Sequence, residues 1–84
     1  MSILRMQTVK IETGHRSHAS IYNAINAGLF TKGVKISERS VGWPSEEVQA
    51  INAARIAAKS DVEIRELVNR LHAKRVQTIG QVAA

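Results

Sequence analysis

The stretch from Gly14 to Gly28 places two glycines and a serine where the boundaries of a helix-turn-helix would fall. Glycine adopts the left-handed backbone that ends a helix at little steric cost, so Gly14 predicts the end of a first helix. Ser17 is a favourable N-cap for a second helix, and Gly28 predicts its end. We therefore expect a short helix over about residues 6–12 and a second one over residues 17–27.

The second of these helices has a narrow apolar side and a broad polar side. Ile21, Ala24 and Ile25 recur at helical spacing and form the apolar side. The polar side carries hydrogen-bonding groups and no carboxylate, at Ser17, His18, Ser20, Tyr22, Asn23 and Asn26. Such a helix suits the major groove of DNA, whose base edges present donors and acceptors. An ordinary surface helix with a strong stop signal would show the same pattern, and this stretch alone leaves both interpretations open.

Basic residues are unevenly distributed along the chain. Residues 1–43 hold six basic and two acidic side chains, whereas residues 44–84 hold six and five. The positive excess therefore lies on the half that contains the predicted helix-turn-helix. This asymmetry is typical of a nucleic-acid-binding face on a supporting scaffold, and a solvated basic surface is the alternative.

A change of period after the second helix predicts a β-hairpin with a polar turn over residues 37–40. Its inward face is expected to consist of Val34, Ile36, Val41 and Trp43. A hairpin that directly follows a helix-turn-helix is a wing, and Lys35 and Arg39 would project from it. We expect its tip at the phosphate backbone or in the minor groove of DNA. The alternative for Arg39 is a surface ion pair with Glu38.

Two further helices are predicted in the second half of the chain. Pro44 and the acidic residues after it suit the first turn of one helix. Ser60 and Glu63 form a capping-box pattern that starts the other. The last helix carries the strongest apolar stripe of the chain, formed by Ile64, Leu67, Val68 and Leu71. This stripe is either core or a surface for self-association. The second alternative stays open because a small domain has little core with which to cover the stripe.

The chain of 84 residues fits one continuous small structure with three regions. We expect a winged helix-turn-helix DNA-binding domain at residues 1–59. An amphipathic helix at residues 60–76 would pack on that domain or on a partner. Residues 77–84 show no clear pattern and are expected to fray.

The chain lacks the residues that several classes of function require. No nucleophile, base and orienting group can be assembled, so we expect no enzymatic activity, no catalytic residue and no cofactor. His15 and His18 have no third ligand nearby, so we expect no metal site. No apolar run approaches the length of about 20 residues that spans a membrane, and the N-terminus lacks a segment of signal-peptide type. The expected location is therefore the cytoplasm.

Residues 4–55 contain an ordered set of short family matches. They are Leu4-Arg5, Thr13-Gly14, Ile21-Tyr22, Gly28-Leu29-Phe30, Val34-Lys35-Ile36, Val41-Gly42-Trp43 and Glu47-Val48. In this order and spacing the chain resembles the AlpA family of phage-type transcriptional regulators. The resemblance implies a mainly α fold with a small β-hairpin, a winged helix-turn-helix related to the MerR-type head. The helix from Ser60 to Arg75 is a C-terminal extension that many members lack.

The resemblance also implies a role in mobile elements such as prophages and integrated islands. Some members activate integrase expression, and others act as excisionases that bend DNA so that the integrase excises the element. The implied partner is double-stranded DNA, with integrase or RNA polymerase as further partners. Carried over by position, residues 17–26 would read the major groove, and the wing near Lys35, Arg39 and Ser40 would meet the backbone or the minor groove.

The residues expected to contact DNA fall into two groups. Phosphate attraction is assigned to Arg16, Lys32, Lys35 and Arg39. Hydrogen bonds to bases or backbone are assigned to His18, Ser20, Tyr22, Asn23 and Asn26, and asparagine suits adenine. Excisionase and transcriptional regulator both stay open at this point. A function of another class also stays open, namely a protein-interaction module or antitoxin-like partner that uses the C-terminal helix.

Overall fold

The computed structural model describes the backbone of residues 2–83 and the side chains of residues 2–77. Its elements are β1 (Ile3–Arg5), α1 (Met6–Thr13), α2 (His18–Asn26), β2 (Val34–Ser37), β3 (Ser40–Pro44), α3 (Ser45–Ile56) and α4 (Asp61–Ala83). The three strands form an antiparallel sheet in the order β1-β3-β2. This is the expected mainly α, winged helix-like fold, in which β2 and β3 form the wing.

The helix-turn-helix has the boundaries that its glycines and serine predict. α1 ends at Gly14, whose φ of 76° is left-handed. The amide of Ser20 donates to the Ser17 hydroxyl at 3.1 Å, so Ser17 is the N-cap of α2. Gly28 follows that helix with a φ of 79°. Local backbone preference therefore determines where both helices stop.

The N-terminal residues form the edge strand β1, which the sequence analysis does not predict. Leu4 faces Trp43 across the sheet, and the amide of Ser45 donates to the carbonyl of Ser2 at 2.7 Å. Strand β1 thus pairs with the inner strand of the wing. The pairing places Arg5, at the end of β1, beside the hairpin.

The predicted inward face of the wing is wrong for β2. Val34 pairs with Gly42, and directly paired residues share one face of a sheet, so Val34 lies on the face opposite Trp43. Ile36 lies at an irregularity in the register and is 45% exposed. Ile3 and Ile36 instead cover Gly42, where an added Cβ would collide with both side chains. Alternation identifies the two faces of a strand, but register across the sheet decides which face is inward.

One core joins the helices to the sheet. Its buried apolar members are Val9, Ile21, Phe30, Trp43, Val48, Ile51, Ile64 and Val68. The rings of Phe30 and Trp43 lie with their centroids 6.1 Å apart, and the Trp43 indole donates to the carbonyl of Thr31 at 2.8 Å. The segment after α2 therefore turns back into the core, with Phe30 buried and Leu29 packed against the cluster.

Helix α4 begins at the predicted capping box and contributes its stripe to the core. The Ser60 amide donates to a Glu63 carboxylate oxygen at 3.2 Å, and the Glu63 amide donates to the Ser60 hydroxyl at 3.2 Å. The stripe, formed by Ile64, Leu67, Val68 and Leu71, joins the single core cluster beside α3, with Ile64 fully buried and Val68 3% exposed. Ile64 and Val68 therefore belong to the core, and Leu67 and Leu71 are partly buried against it. Self-association and an interaction role through this helix stay predictions.

The backbone of α4 is longer than the predicted segment at residues 60–76. It remains helical to Ala83, and residues 76–83 contain no proline that would end it. The tail at residues 77–84 was expected to fray. Apart from Gln77, its side chains lie outside the described residues.

Candidate nucleic-acid interface

Helix α2 presents an exposed polar face that continues along its length. Ile21 is buried beneath it, which fixes the rotation of the helix on the core. His18, Tyr22, Asn23 and Asn26 are exposed. The amides of both asparagines and the tyrosine hydroxyl are therefore accessible to a partner.

The two serines of this face already have partners within the chain. The Ser17 hydroxyl accepts the amide of Ser20 as the helix cap. The Ser20 hydroxyl lies 2.6 Å from Nδ1 of His15, whose ring packs edge-on against Phe30 at a centroid distance of 6.5 Å. These hydroxyls therefore help to hold the start of α2 in place. Arg16, between the two helices, is exposed.

The tip of the wing is a two-residue turn formed by Glu38 and Arg39. Arg39 is exposed, as is Lys35 on the edge strand β2. Ser40 follows the turn, and its hydroxyl accepts a hydrogen bond from the Arg5 guanidinium at 3.0 Å. The described residues show no ion pair between Glu38 and Arg39, so the alternative role for this arginine is not observed.

A groove of about 380 Å³ separates α2 from the wing. It is lined by Arg5, Met6, Gln7, His18, Tyr22, Arg39, Ser40 and Val41. Both charged side chains among these lining residues are arginines, and no carboxylate is present among them. The groove is therefore suited to an anion that lies between a helix and a hairpin.

The structure brings together some of the residues that the sequence singled out. His18 and Tyr22 from α2 meet Arg39 and Ser40 from the wing in this groove. The other predicted residues do not line it, and these are Arg16, Ser17, Ser20, Asn23, Asn26, Lys32 and Lys35. Sequence reasoning missed Arg5, which counted only toward the charge of the first half. A prediction that β1 pairs with β3 would have found it.

The segment between α2 and the wing is attached to α4 by hydrogen bonds at both of its ends. Arg65 donates to the carbonyl of Ala27 at 2.9 Å. The amide of Lys32 donates to Nε2 of His72 at 3.1 Å, and its carbonyl accepts a hydrogen bond from Arg75 at 2.8 Å. These bonds fix the backbone at Lys32, whose side chain is exposed.

Arg75 also forms a two-pronged ion pair with Glu47, at 2.7 and 2.6 Å. Glu47 was expected to act at the start of its helix, where acidic residues favour the helix dipole. It does lie in the first turn of α3, and it is also 5% exposed and holds α4 against α3. The two residues are 28 positions apart in sequence, and no local pattern indicates the pair.

His72 lies beside this pair and accepts a backbone hydrogen bond. Partial burial lowers the pKa of His72, and the positive charges of Arg75 and Lys32 act in the same direction, against the charge of Glu47. The neutral ring is thereby favoured, and only a neutral ring leaves Nε2 free to accept the amide of Lys32.

Residues 2–56 match the model of the family described as prophage CP4-57 regulatory protein (AlpA). The chain belongs to the AlpA family. Neither the curated proteins nor the solved structures gave a match.

The family match covers the region from β1 to α3, which we call the AlpA unit. The family match ends at residue 56, at the last residue of α3, and α4 begins at Asp61 beyond it. The AlpA unit of this protein is therefore followed by a helix that the family model does not include. Within the part of the chain that the structure describes, no helix is both long and apolar enough to cross a bilayer.

Proposed function

We propose that this AlpA-family protein binds double-stranded DNA in a sequence-specific manner. Helix α2 would enter the major groove, and the wing would follow the backbone or enter the neighbouring minor groove. The observation that supports this most is the groove between α2 and the wing, which has arginines and no carboxylate among its lining residues. An ordinary surface helix would not require a cationic hairpin beside its polar face.

The proposed contacts divide by chemistry. Arg16, Lys32, Lys35 and Arg39 supply sequence-independent attraction to phosphates. His18, Tyr22, Asn23 and Asn26 are the proposed readers of base edges, and the asparagine amides match adenine. Ser17 and Ser20 have a supporting role, since their hydroxyls already bind within the chain.

In the cell we propose a mobile-element regulator of the cytoplasm. It would act as an excisionase, as a transcriptional regulator of integrase, or as both. Integrase or RNA polymerase would be its protein partner. An excisionase occupies several phased sites near an attachment end and bends them, whereas an activator occupies one promoter. Footprinting on the surrounding genome distinguishes these roles by the number and position of protected sites.

Selection from a random duplex pool, followed by binding of single-base variants, tests the sequence specificity. Asn23→Ala and Asn26→Ala are each expected to cost about 1–3 kcal/mol on the selected site and to relax the preference at one position. Asn69→Ala removes the same amide from an exposed position of α4 and is the matched control. A pool without enriched sites, or asparagine variants that behave like this control, would refute the proposal.

A further inference from the structure

The position of α2 relative to the wing determines what must pass between them. A major groove and the minor groove beside it are separated by one phosphodiester strand. If α2 occupies the first and the wing reaches the second, that strand must cross the groove between these two elements. This step rests on the proposed function.

One positively charged side chain in the groove, that of Arg5, is held in position by the protein itself. The side chain of Arg5 comes from the end of β1 and donates to the Ser40 hydroxyl at 3.0 Å. β1 is held by its pairing with β3, in which Arg5 faces Gly42. The guanidinium has five donor N–H groups, so the bond to Ser40 leaves donors for a phosphate. Arg39 lines the same groove from the turn.

We propose that Arg5 binds a backbone phosphate of the strand that crosses this groove. Arg5 and Arg39 would hold that strand from the sheet and from the hairpin, with His18 and Tyr22 on the α2 side. The phosphate is the ligand, so the contact does not depend on base sequence. Guanidinium and phosphate are matched in geometry as well as in charge.

Salt-dependent binding of a mixed-sequence duplex tests this contact without knowledge of the operator. Arg5→Gln removes the charge and keeps a donor for Ser40. The slope of log K against log salt is expected to become shallower by about 0.9, the value for one phosphate contact on B-DNA. When the salt is raised from 50 to 200 mM, the affinity of both proteins falls. The factor by which it falls should be about 3.5 times smaller for the variant than for the wild type.

Two further variants make the result specific to the groove. Arg5→Lys keeps the charge and is expected to restore most of the slope. Lys59→Ala removes one positive charge from an exposed position outside the groove, where Lys59 pairs with Glu63 at 3.7 Å. It is expected to leave the slope unchanged. Circular dichroism of each variant verifies that it is folded, and Arg5→Lys retains the test if the glutamine variant is unfolded.

The outcomes separate this inference from the function on which it rests. If the wild type binds duplex with a salt-dependent affinity and Arg5→Gln has the same slope, Arg5 does not bind phosphate, but DNA binding stands. If Arg5→Gln and Lys59→Ala lower the salt slope equally, the effect comes from net charge alone, and the inference is overturned. If the wild type does not bind duplex at all, the proposed function fails and this contact fails with it.

Discussion

Replacing Arg75 by alanine is expected to destabilise the fold strongly, because it leaves a buried carboxylate without its partner. Glu47 is 5% exposed, and Arg75 is the residue that pairs with it, through two hydrogen bonds. The same guanidinium binds the carbonyl of Lys32 before the wing. The substitution therefore removes one ion pair and one backbone bond that attach α4 to the AlpA unit.

The expected magnitude follows from the burial of the pair. Removing one partner of a buried ion pair costs about 3–5 kcal/mol. The Arg75 side chain is 25% exposed, so water can enter and the lower end of the range, about 3 kcal/mol, is expected. A domain of this size has a free energy of unfolding of about 4–13 kcal/mol in total. The melting temperature should fall by about 12–24 °C.

Urea denaturation followed by circular dichroism measures this loss. Arg70→Ala, an exposed arginine on the same helix, is the control and should stay within about 0.5 kcal/mol of the wild type. Glu47→Gln keeps the shape of the side chain and removes its charge. Combined with Arg75→Ala, it should lose at least about 1 kcal/mol less than the sum of the single variants. Equal losses of unfolding free energy for Arg75→Ala and Arg70→Ala would refute the reasoning. A double variant whose loss equals the sum of the losses of Glu47→Gln and Arg75→Ala would refute it as well.

Two other outcomes are expected from the same measurements. Because the pKa of His72 is lowered in the folded state, the unfolded chain binds the proton more readily. The contribution of His72 to the free energy of unfolding should therefore be complete above its ordinary pKa of 6.5 and should decline as the pH falls below that value. His72→Gln should reduce the difference in unfolding free energy between about pH 7.5 and pH 5.5, and an unchanged difference would assign it to other groups. Gly42→Ala should destabilise the sheet by about 1–3 kcal/mol, since the added Cβ would lie 3.0 Å from the Leu4 carbonyl oxygen and against Ile3. A neutral Gly42→Ala would show that β1 can shift away from the wing.

About half of the candidate groove could be predicted from the sequence. Helix periodicity and hairpin patterning place His18, Tyr22 and Arg39 on two neighbouring elements, and the family resemblance adds Ser40. Arg5 was not found, since it reaches Ser40 only through the pairing of β1 with β3, 35 residues away along the chain. Residues that meet across such a distance carry no local signal of each other.

The sequence by itself determined where α1 and α2 end, where α2 and α4 begin, and the position of the turn. Gly14, Ser17, Gly28 and the pair of Ser60 with Glu63 act through backbone preference and hydrogen bonds over a few residues, so each can be read in isolation. Only the tertiary structure decided the three-stranded sheet, the inward face of the wing, the packing of the α4 stripe and the buried ion pair. These depend on register and on burial, which arise when segments distant in sequence exclude water together.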